Sequence, residues 1–191
     1  MKIEILDKNQ IVNIYNSRMV KDFPRDELRP LKLILGPYKK GIYVCYGLFD
    51  NETDELLGYA FFVKNENDYL FDYLAIADGK RGNGIGTKFL ELLREEFQGS
   101  DSVIGEVEDP VCAQNESDRE NRKRRLYFYL SNGYIDTGVR VKLFGVDYII
   151  LEMDLGKKHD KDTITELYTS HYKKMLTKLL FKRMVCIKQN G

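Results

Sequence analysis

The chain has few of the residues that build metal sites and disulfide frameworks. Its 191 residues include two histidines, three widely spaced cysteines and no tryptophan. An odd number of distant cysteines favours free thiols in a reducing compartment over a disulfide frame or a zinc cluster. Two histidines cannot supply a histidine-rich metal site. We therefore expect a cytoplasmic protein whose chemistry requires no metal.

The lack of long apolar runs and of net charge argues against membrane proteins and nucleic-acid-binding proteins. The chain has no run of 18 apolar residues, and its first ten residues, MKIEILDKNQ, have no apolar signal core, so we expect neither a membrane span nor an export signal. The formal net charge is zero, which argues against general nucleic-acid binding. That zero conceals an asymmetry, because residues 157–191 hold nine Lys or Arg against three Asp or Glu. A solvated basic helix face is the simpler interpretation, and a docking surface for an acidic partner is the alternative.

The sequence does contain alternating strand and helix patterns. Strands are predicted at residues 2–6, 42–50, 55–64, 69–77, 102–108 and 148–153. Helices are predicted at residues 9–20, 24 to about 35, 84–97, 119–130 and 163–186. Short polar links between the early strands indicate antiparallel hairpins. The predicted fold class is α+β, with a mixed, mostly antiparallel central sheet and helices on both faces.

We predict two parts in this organisation. Residues 1–156 would form one domain. Residues 157–191 would form a C-terminal helical extension, packed on the same domain or on a partner in a homodimer.

The most informative stretch is RGNGIGTKFLELL, residues 81–93, in which three glycines open an amphipathic helix. The N–H groups at a helix start are unpaired and carry partial positive charge, so they bind phosphates. Glycines let a ligand approach the backbone closely, and Lys80 stands just in front. The stretch therefore predicts a phosphate or pyrophosphate site. Its residues would be Arg81, Gly82, Asn83, Gly84, Ile85, Gly86 and Thr87.

Two common phosphate motifs fit this stretch poorly. A P-loop needs Gly-Lys-Ser/Thr, whereas the order here is Gly86-Thr87-Lys88. A dinucleotide turn needs a third glycine where Thr87 stands, although Glu106 lies about where a ribose-binding acid would fall. The antiparallel strands upstream also do not suit a doubly wound sheet. A nucleotide-binding oxidoreductase stays an alternative that titration with NAD can test.

The remaining pattern, Arg81-x-x-Gly84-x-Gly86 after a strand ending in LAI, resembles the acetyl-CoA-binding motif of the GCN5-related N-acetyltransferase (GNAT) family. The later segment YLSNGY, residues 129–134, is similar to the family's Tyr-x-x-x-Gly-Phe/Tyr segment. The order of elements also fits over residues 2–153. The resemblance implies a GNAT-like sheet whose fourth and fifth strands splay to admit the pantetheine arm. It also implies a pyrophosphate on the glycine turn and backbone contacts to the acetyl carbonyl at Leu74, Ala75 and Ile76.

The activity implied by the resemblance is transfer of acetyl from acetyl-CoA to a primary amine by direct attack. The acceptor would be a small molecule or a peptide, with neither nucleic acid nor membrane as a partner. The alternative, from another class, is a non-catalytic acetyl-CoA-binding sensor or interaction module.

Transfer to an amine needs an acid for the leaving sulfur and a base for the ammonium. Tyr129 matches the family tyrosine and is the candidate acid, with Tyr127 as a neighbouring alternative. Glu106 and Glu108 lie two residues apart on one strand and share a face, so they are the candidate bases. They could instead attract the ammonium, or be solvated acids at a strand end.

The segments around these residues are strongly charged. Arg124 and Arg125 are candidates for a second contact with the coenzyme, where the family often has Asn and Ala. Asp109, Glu116 and Asp118 form an acidic rim that would favour a cationic acceptor.

Overall fold

The computed structural model describes residues 1–25 and 27–188. The chain divides into two compact units. Met1–Lys64 and Phe71–Glu95 form the first unit, and Asn65–Leu70 and Glu96–Gly191 form the second. Each unit is described by itself below.

The first unit carries strands in the spatial order β1-β2-β3-β4, with helices between β1 and β2 and after β4 along the chain. The strands are β1 (Lys2–Ile5), β2 (Tyr43–Phe49), β3 (Leu56–Asn65) and β4 (Asp68–Ile76). The helices are α1 (Lys8–Ile14), α2 (Val20–Asp22), α3 (Leu31–Lys39) and α4 (Ile85–Glu96). Strand β2 pairs antiparallel with both β1 and β3. Residues 65–70, at the turn between β3 and β4, belong to the second unit.

Local chemistry accounts for the start of α1 and for the core of this unit. Asp7 and Gln10 form a reciprocal capping box at the start of α1, with two bonds of 2.8 Å. Phe62 and Phe71 stack with their ring centroids 4.6 Å apart, and both rings are buried. Residues 57–63 of β3 are all buried, so both faces of this strand are covered.

The second predicted helix begins later and ends later than the sequence pattern indicated. Its predicted start at residue 24 is wrong, because α3 begins at Leu31. Pro30 precedes it with extended backbone (φ −53°, ψ 137°). The helix then continues through Pro37 and ends at Lys39, a few residues beyond the predicted end near residue 35. Helix α1 also continues as a π-helical segment, Tyr15–Met19, before α2.

The second unit has strands in the order β5-β7-β6-β8, with antiparallel pairing between neighbours. The strands are β5 (Ser102–Glu108), β6 (Tyr134–Leu143), β7 (Val146–Met153) and β8 (Val185–Ile187). The helices are α5 (Glu116–Ser131), α6 (Lys161–Met175) and α7 (Lys178–Met184). Glu106 on β5 stands opposite Ile150 on β7.

Strand β6 was not predicted from the sequence. Its pairing with β7 shifts register between Asp136 and Arg140, and Gly138 in this segment has a φ of +74°. The irregularity hides a short alternation in which Val139, Val141 and Leu143 are buried. The strand pattern is therefore visible only in the second half of β6.

The prediction of one long helix over residues 163–186 is wrong. Helix α6 ends where Leu176 turns extended (φ −109°, ψ 149°). The Thr177 hydroxyl then accepts the N–H of Leu180 and caps the short helix α7. Strand β8 (Val185–Ile187) follows α7 and pairs with β6 through Val141↔Ile187.

The α+β prediction is confirmed, since the strand pairs described above are antiparallel and helices accompany them in both units. The boundary at residue 156 stays a prediction, and residues 157–188 lie in the second unit together with β5. Across the described part of the chain, no helix is long and apolar enough to cross a membrane. Within residues 1–25 and 27–188, no group of three or more His, Cys, Asp or Glu could hold a metal ion.

Candidate functional site

The glycine turn leads directly into helix α4. Gly82 and Gly84 have φ values of +81° and +75°, a conformation that L side chains rarely adopt. The N–H of Lys88 donates to the carbonyl of Gly84 at 3.0 Å, so the helical hydrogen bonds begin at that glycine. A Cβ built on Gly82 or Gly84 would meet no atom within 4 Å. The backbone of the turn therefore borders open space.

The first turn of α4 is accessible, while the rest of the helix is anchored. Asn83, Gly84 and Thr87 are exposed and Gly86 is half-buried. Ile85, Phe89, Leu90 and Leu93 are buried and hold the helix against the first unit. The N–H groups at the start of a helix lack intrahelical acceptors, and the helix dipole makes that end partly positive. The turn can therefore bind an anion through main-chain donors.

Arg81 is tied into the first unit. Its Nε donates to the carbonyl of Ile76 at 3.1 Å, and its terminal nitrogen lies 3.5 Å from Asp22 and 3.4 Å from Asp78. Asp22 is buried and also accepts the Tyr59 hydroxyl at 2.7 Å. Arg81 thus links the end of β4 to α2, a role that the sequence did not reveal because Asp22 is remote along the chain.

The predicted backbone contacts at residues 74–76 lie at the end of β4. Ala75 and Ile76 are buried and Leu74 is half-buried. A Cβ on Gly58 of β3 would come within 2.8 Å of the Ile76 side chain and 2.9 Å of the Ala75 carbonyl. Gly58 is therefore required for the close approach of β3 to this part of β4.

Tyr129 is partly buried near the end of α5. Its ring contacts those of Phe128 and Tyr134, each with centroids 5.3 Å apart. Burial raises the pKa of Tyr129 to about 12, although the positive charge of Arg125 acts in the opposite direction. The phenol therefore keeps its proton at neutral pH. Tyr127, the alternative acid, is 73% exposed on another face of the helix.

Glu106 is held by two tyrosines of helix α6. The hydroxyls of Tyr168 and Tyr172 donate to its Oε1 at 2.6 and 2.8 Å. Both tyrosines are fully buried. Sequence reasoning missed them, and the available signal was two tyrosines four residues apart on one helix face.

Glu108 belongs to an ion-pair cluster with helix α5. Arg122, which is 8% exposed, lies 3.7 Å from Glu108 and 2.9 Å from Asp118. Arg125 pairs with the other carboxylate oxygen of Glu108. The hydrogen bond from Arg122 holds the pKa of Asp118 below its usual value. Two of the predicted residues, Glu108 and Arg125, are thus brought together as a pair, while Arg124 is exposed.

The acidic rim is engaged in local contacts. Asp109 accepts the N–H of Val111 at 2.9 Å, and Glu116 pairs with Arg119 at 2.9 Å. Asp118 pairs with Arg122 as described. The ion pairs of Glu116 and Asp118 offset two of the three charges that were expected to attract a cationic acceptor, so the rim gives little support to that expectation.

Comparisons with known proteins identify which solved structures share this fold. Neither a family model nor a curated protein matches the chain by sequence. Among solved structures, it is similar to a Bacteroides thetaiotaomicron protein assigned to the GNAT family of acetyltransferases, with a TM-score of 0.67, 21% identity and coverage of 90% of this chain and 96% of that one. It is also similar to the ribosomal-protein-S18-alanine N-acetyltransferase of Escherichia coli, with a TM-score of 0.59, 16% identity and coverage of 84% and 97%. An aminoglycoside 6′-N-acetyltransferase complexed with coenzyme A gives a TM-score of 0.59, 17% identity and coverage of 84% and 100%.

These likenesses define the fold as that of the GNAT N-acetyltransferases. They span most of this chain and nearly the whole of each neighbour, and their sequence identities are low. The resemblance drawn from the glycine motif is therefore confirmed at the level of the fold.

Proposed function

We propose that this protein is an acetyl-CoA-dependent N-acetyltransferase that transfers acetyl to a primary amine by direct attack. The observation that carries the proposal is the open glycine turn at the start of α4, in a chain with the GNAT fold. Gly82 and Gly84 adopt left-handed backbone beside open space, which is the arrangement that lets a diphosphate reach main-chain N–H groups. A solved neighbour with this fold is complexed with coenzyme A.

The residues at the turn fit this coenzyme by chemistry as well as by space. The diphosphate would be held by backbone N–H groups at the start of α4, assisted by the partial positive charge of the helix. Arg81 would act by fixing the turn, because its guanidinium is engaged with Ile76 and Asp22. Arg124, which is exposed, is a better candidate for a further phosphate contact than Arg125, which pairs with Glu108. When bound, acetyl-CoA supplies the acetyl group in activated thioester form.

Glu106 would take the proton of the acceptor ammonium. An alkyl ammonium has a free pKa near ~10.4 and must lose a proton to attack. Glu106 is preferred over Glu108, because two arginines share the charge of Glu108. Backbone N–H groups at residues 74–76 would orient the acetyl carbonyl.

Tyr129 would donate a hydrogen bond to the departing sulfur. Its pKa of about 12 lies roughly 3.5 units above the ~8.5 of an ordinary thiol. Complete proton transfer from this phenol to a thiolate would therefore cost about 5 kcal/mol. A hydrogen bond that stabilises the developing negative charge avoids that cost, so Tyr129 would keep its proton while it assists departure.

The identity of the acceptor is the open part of this proposal. The neighbours include enzymes named for an alanine of a ribosomal protein and for an aminoglycoside, so peptide and small-molecule amines are both to be tested. A cytoplasmic location, independence of metals and a homodimer stay predictions.

Calorimetry with acetyl-CoA and coenzyme A, followed by thiol detection across a panel of amines, tests the function. Micromolar to submillimolar binding with coenzyme A release in the presence of an amine supports it. Binding without release across alkyl amines, polyamines, aminoglycosides and amino-terminal peptides would favour the sensor alternative. Absence of binding, or tight binding of NAD instead, would reject the proposal.

A further inference from the structure

The C-terminal helix α6 contributes two buried hydroxyl groups to the candidate base on β5. Tyr168 and Tyr172 are 0% exposed and donate to the same oxygen of Glu106. They lie four residues apart on one face of α6, with ring centroids 4.9 Å apart. This pairing joins the predicted extension to a residue that the proposed function already uses.

Helix α6 is fixed so that the two hydroxyls are well placed. Asp160 caps its first turn by accepting the N–H of Thr163 at 2.8 Å. The Ser170 hydroxyl accepts the side-chain amide of Asn65 at 3.0 Å. His171 is buried beside the tyrosines and its Nδ1 lies 2.8 Å from the carbonyl of Leu167. Buried rings on an anchored helix have few alternative rotamers, so the carboxylate they hold is preorganised.

The electrostatics set the direction of these hydrogen bonds. Burial, followed by the negative charge of Glu106, raises the pKa of Tyr168 well above its usual value. Tyr168 therefore keeps its proton, and in the structure the hydroxyls of both tyrosines donate to the Glu106 carboxylate. Ile150 stands opposite Glu106 on β7, and the charge of Glu108, two residues along β5, is paired with Arg122 and Arg125. From α6, the phenols of Tyr168 and Tyr172 face Glu106.

We propose that Tyr168 and Tyr172 are positioning residues for the acetyl transfer, because they orient the Glu106 carboxylate and favour its ionised form. This inference rests on the proposed function. A carboxylate must be ionised to accept the ammonium proton, and hydrogen bonds donated to it stabilise that form. The C-terminal segment, which the family resemblance did not cover, would then be part of the catalytic apparatus and not only a packing element.

The test compares Tyr168→Phe, Tyr172→Phe and the double variant with the unaltered enzyme and with Glu106→Gln. Phenylalanine keeps the ring and removes only the donor. Each single variant should lower kcat about tenfold, leave the Kd for acetyl-CoA unchanged, and move the acidic limb of the kcat/KM profile to higher pH. In the Glu106→Gln background, the same substitutions should cost less than twofold, since the group they act through is gone.

A matched control is Tyr38→Phe, which removes a phenol of the first unit that donates to the carbonyl of Leu6 at 3.4 Å. It should leave kcat and the pH profile unchanged. Thermal unfolding of every variant separates loss of positioning from loss of folding, and Tyr172→Phe serves if Tyr168→Phe does not fold.

The outcomes distinguish this inference from the proposed function. Full activity and an unmoved acidic limb in both Phe variants would overturn the inference alone. So would a tenfold loss that persists in the Glu106→Gln background, because it would show that the rings act through packing. No turnover by the unaltered enzyme despite acetyl-CoA binding, or no binding at all, would overturn the proposed function and the inference with it.

Discussion

Substitution of Gly84 by alanine separates the folding role of the glycine turn from its binding role. The added methyl group meets no protein atom within 4 Å, so it causes no clash in the free protein. Its cost to folding comes from the backbone, because Gly84 has a φ of +75°. Its cost to binding comes from occupying the space through which an anion would reach the main chain.

The folding cost can be estimated from backbone energetics. A left-handed conformation costs an L residue roughly 1–2 kcal/mol. Alanine also restricts the unfolded chain, which returns about 0.4–1 kcal/mol. The net loss of stability is then about 1 kcal/mol, which lowers Tm by roughly 2–4 °C for a chain of this size. Loss of one charge-assisted hydrogen bond to the diphosphate should weaken acetyl-CoA binding by at least about tenfold.

Gly41→Ala is the matched control. Gly41 has a φ of +69°, lies in the same unit and also has nothing within 4 Å of a built Cβ. The Gly41→Ala variant should therefore show the same small decrease in Tm, but its affinity for acetyl-CoA, measured by calorimetry, should be unchanged. If Gly84→Ala bound acetyl-CoA as tightly as Gly41→Ala does, the phosphate-site argument would be refuted.

Three further predictions concern α5 and the buried histidine. Tyr129→Phe should lower kcat about tenfold with unchanged acetyl-CoA affinity, whereas exposed Tyr127→Phe should not; equal turnover in both would remove Tyr129 from the reaction. Arg122→Met should reduce the free energy of unfolding by about 2 kcal/mol, because the partly buried Asp118 loses its charge-assisted partner, while Glu108 keeps Arg125. Arg119→Met removes the exposed ion-pair partner of Glu116 and should lower the free energy of unfolding by less than about 1 kcal/mol. Similar denaturation midpoints for the Arg122 and Arg119 variants would contradict this difference. Burial lowers the pKa of His171 from its usual 6.5, so below that pH the unfolded chain binds a proton that the native protein does not. Stability should therefore fall as pH drops below about 6.5, by at most about 1.4 kcal/mol per pH unit, and His171→Gln should flatten that slope in urea titrations; parallel curves for both proteins would refute this cause.

Much of the fold was predictable because the relevant forces are local. The alternation of apolar and polar residues predicted β5 as residues 102–108, the bounds that the structure gives. The helix after the glycine turn was predicted within one residue at each end. Strand β6 was missed because a bulge interrupts its alternation. The C-terminal helix was predicted too long because the backbone becomes extended at Leu176 and Thr177 caps a new helix.

The candidate site was predictable only in its main-chain part. Glycines just before an amphipathic helix pattern are visible in the sequence, so the anion-binding turn could be located. Contacts between side chains that are remote along the chain cannot be recognised from a short stretch of sequence. The two hydroxyls on Glu106 come from residues 62 and 66 positions away, and Asp22, which holds Arg81, lies in helix α2. These partners depend on packing that no short segment encodes.

The three-residue strand β8 has a consequence for the solubility of the protein. By pairing with residues 141–143, it covers an edge of β6 that would otherwise display free backbone donors and acceptors. An uncovered edge is a template on which a second molecule can add a strand. Shortening the chain before Val185 would thus be expected to cause self-association in light scattering, even where the remaining protein folds and its glycine turn is intact.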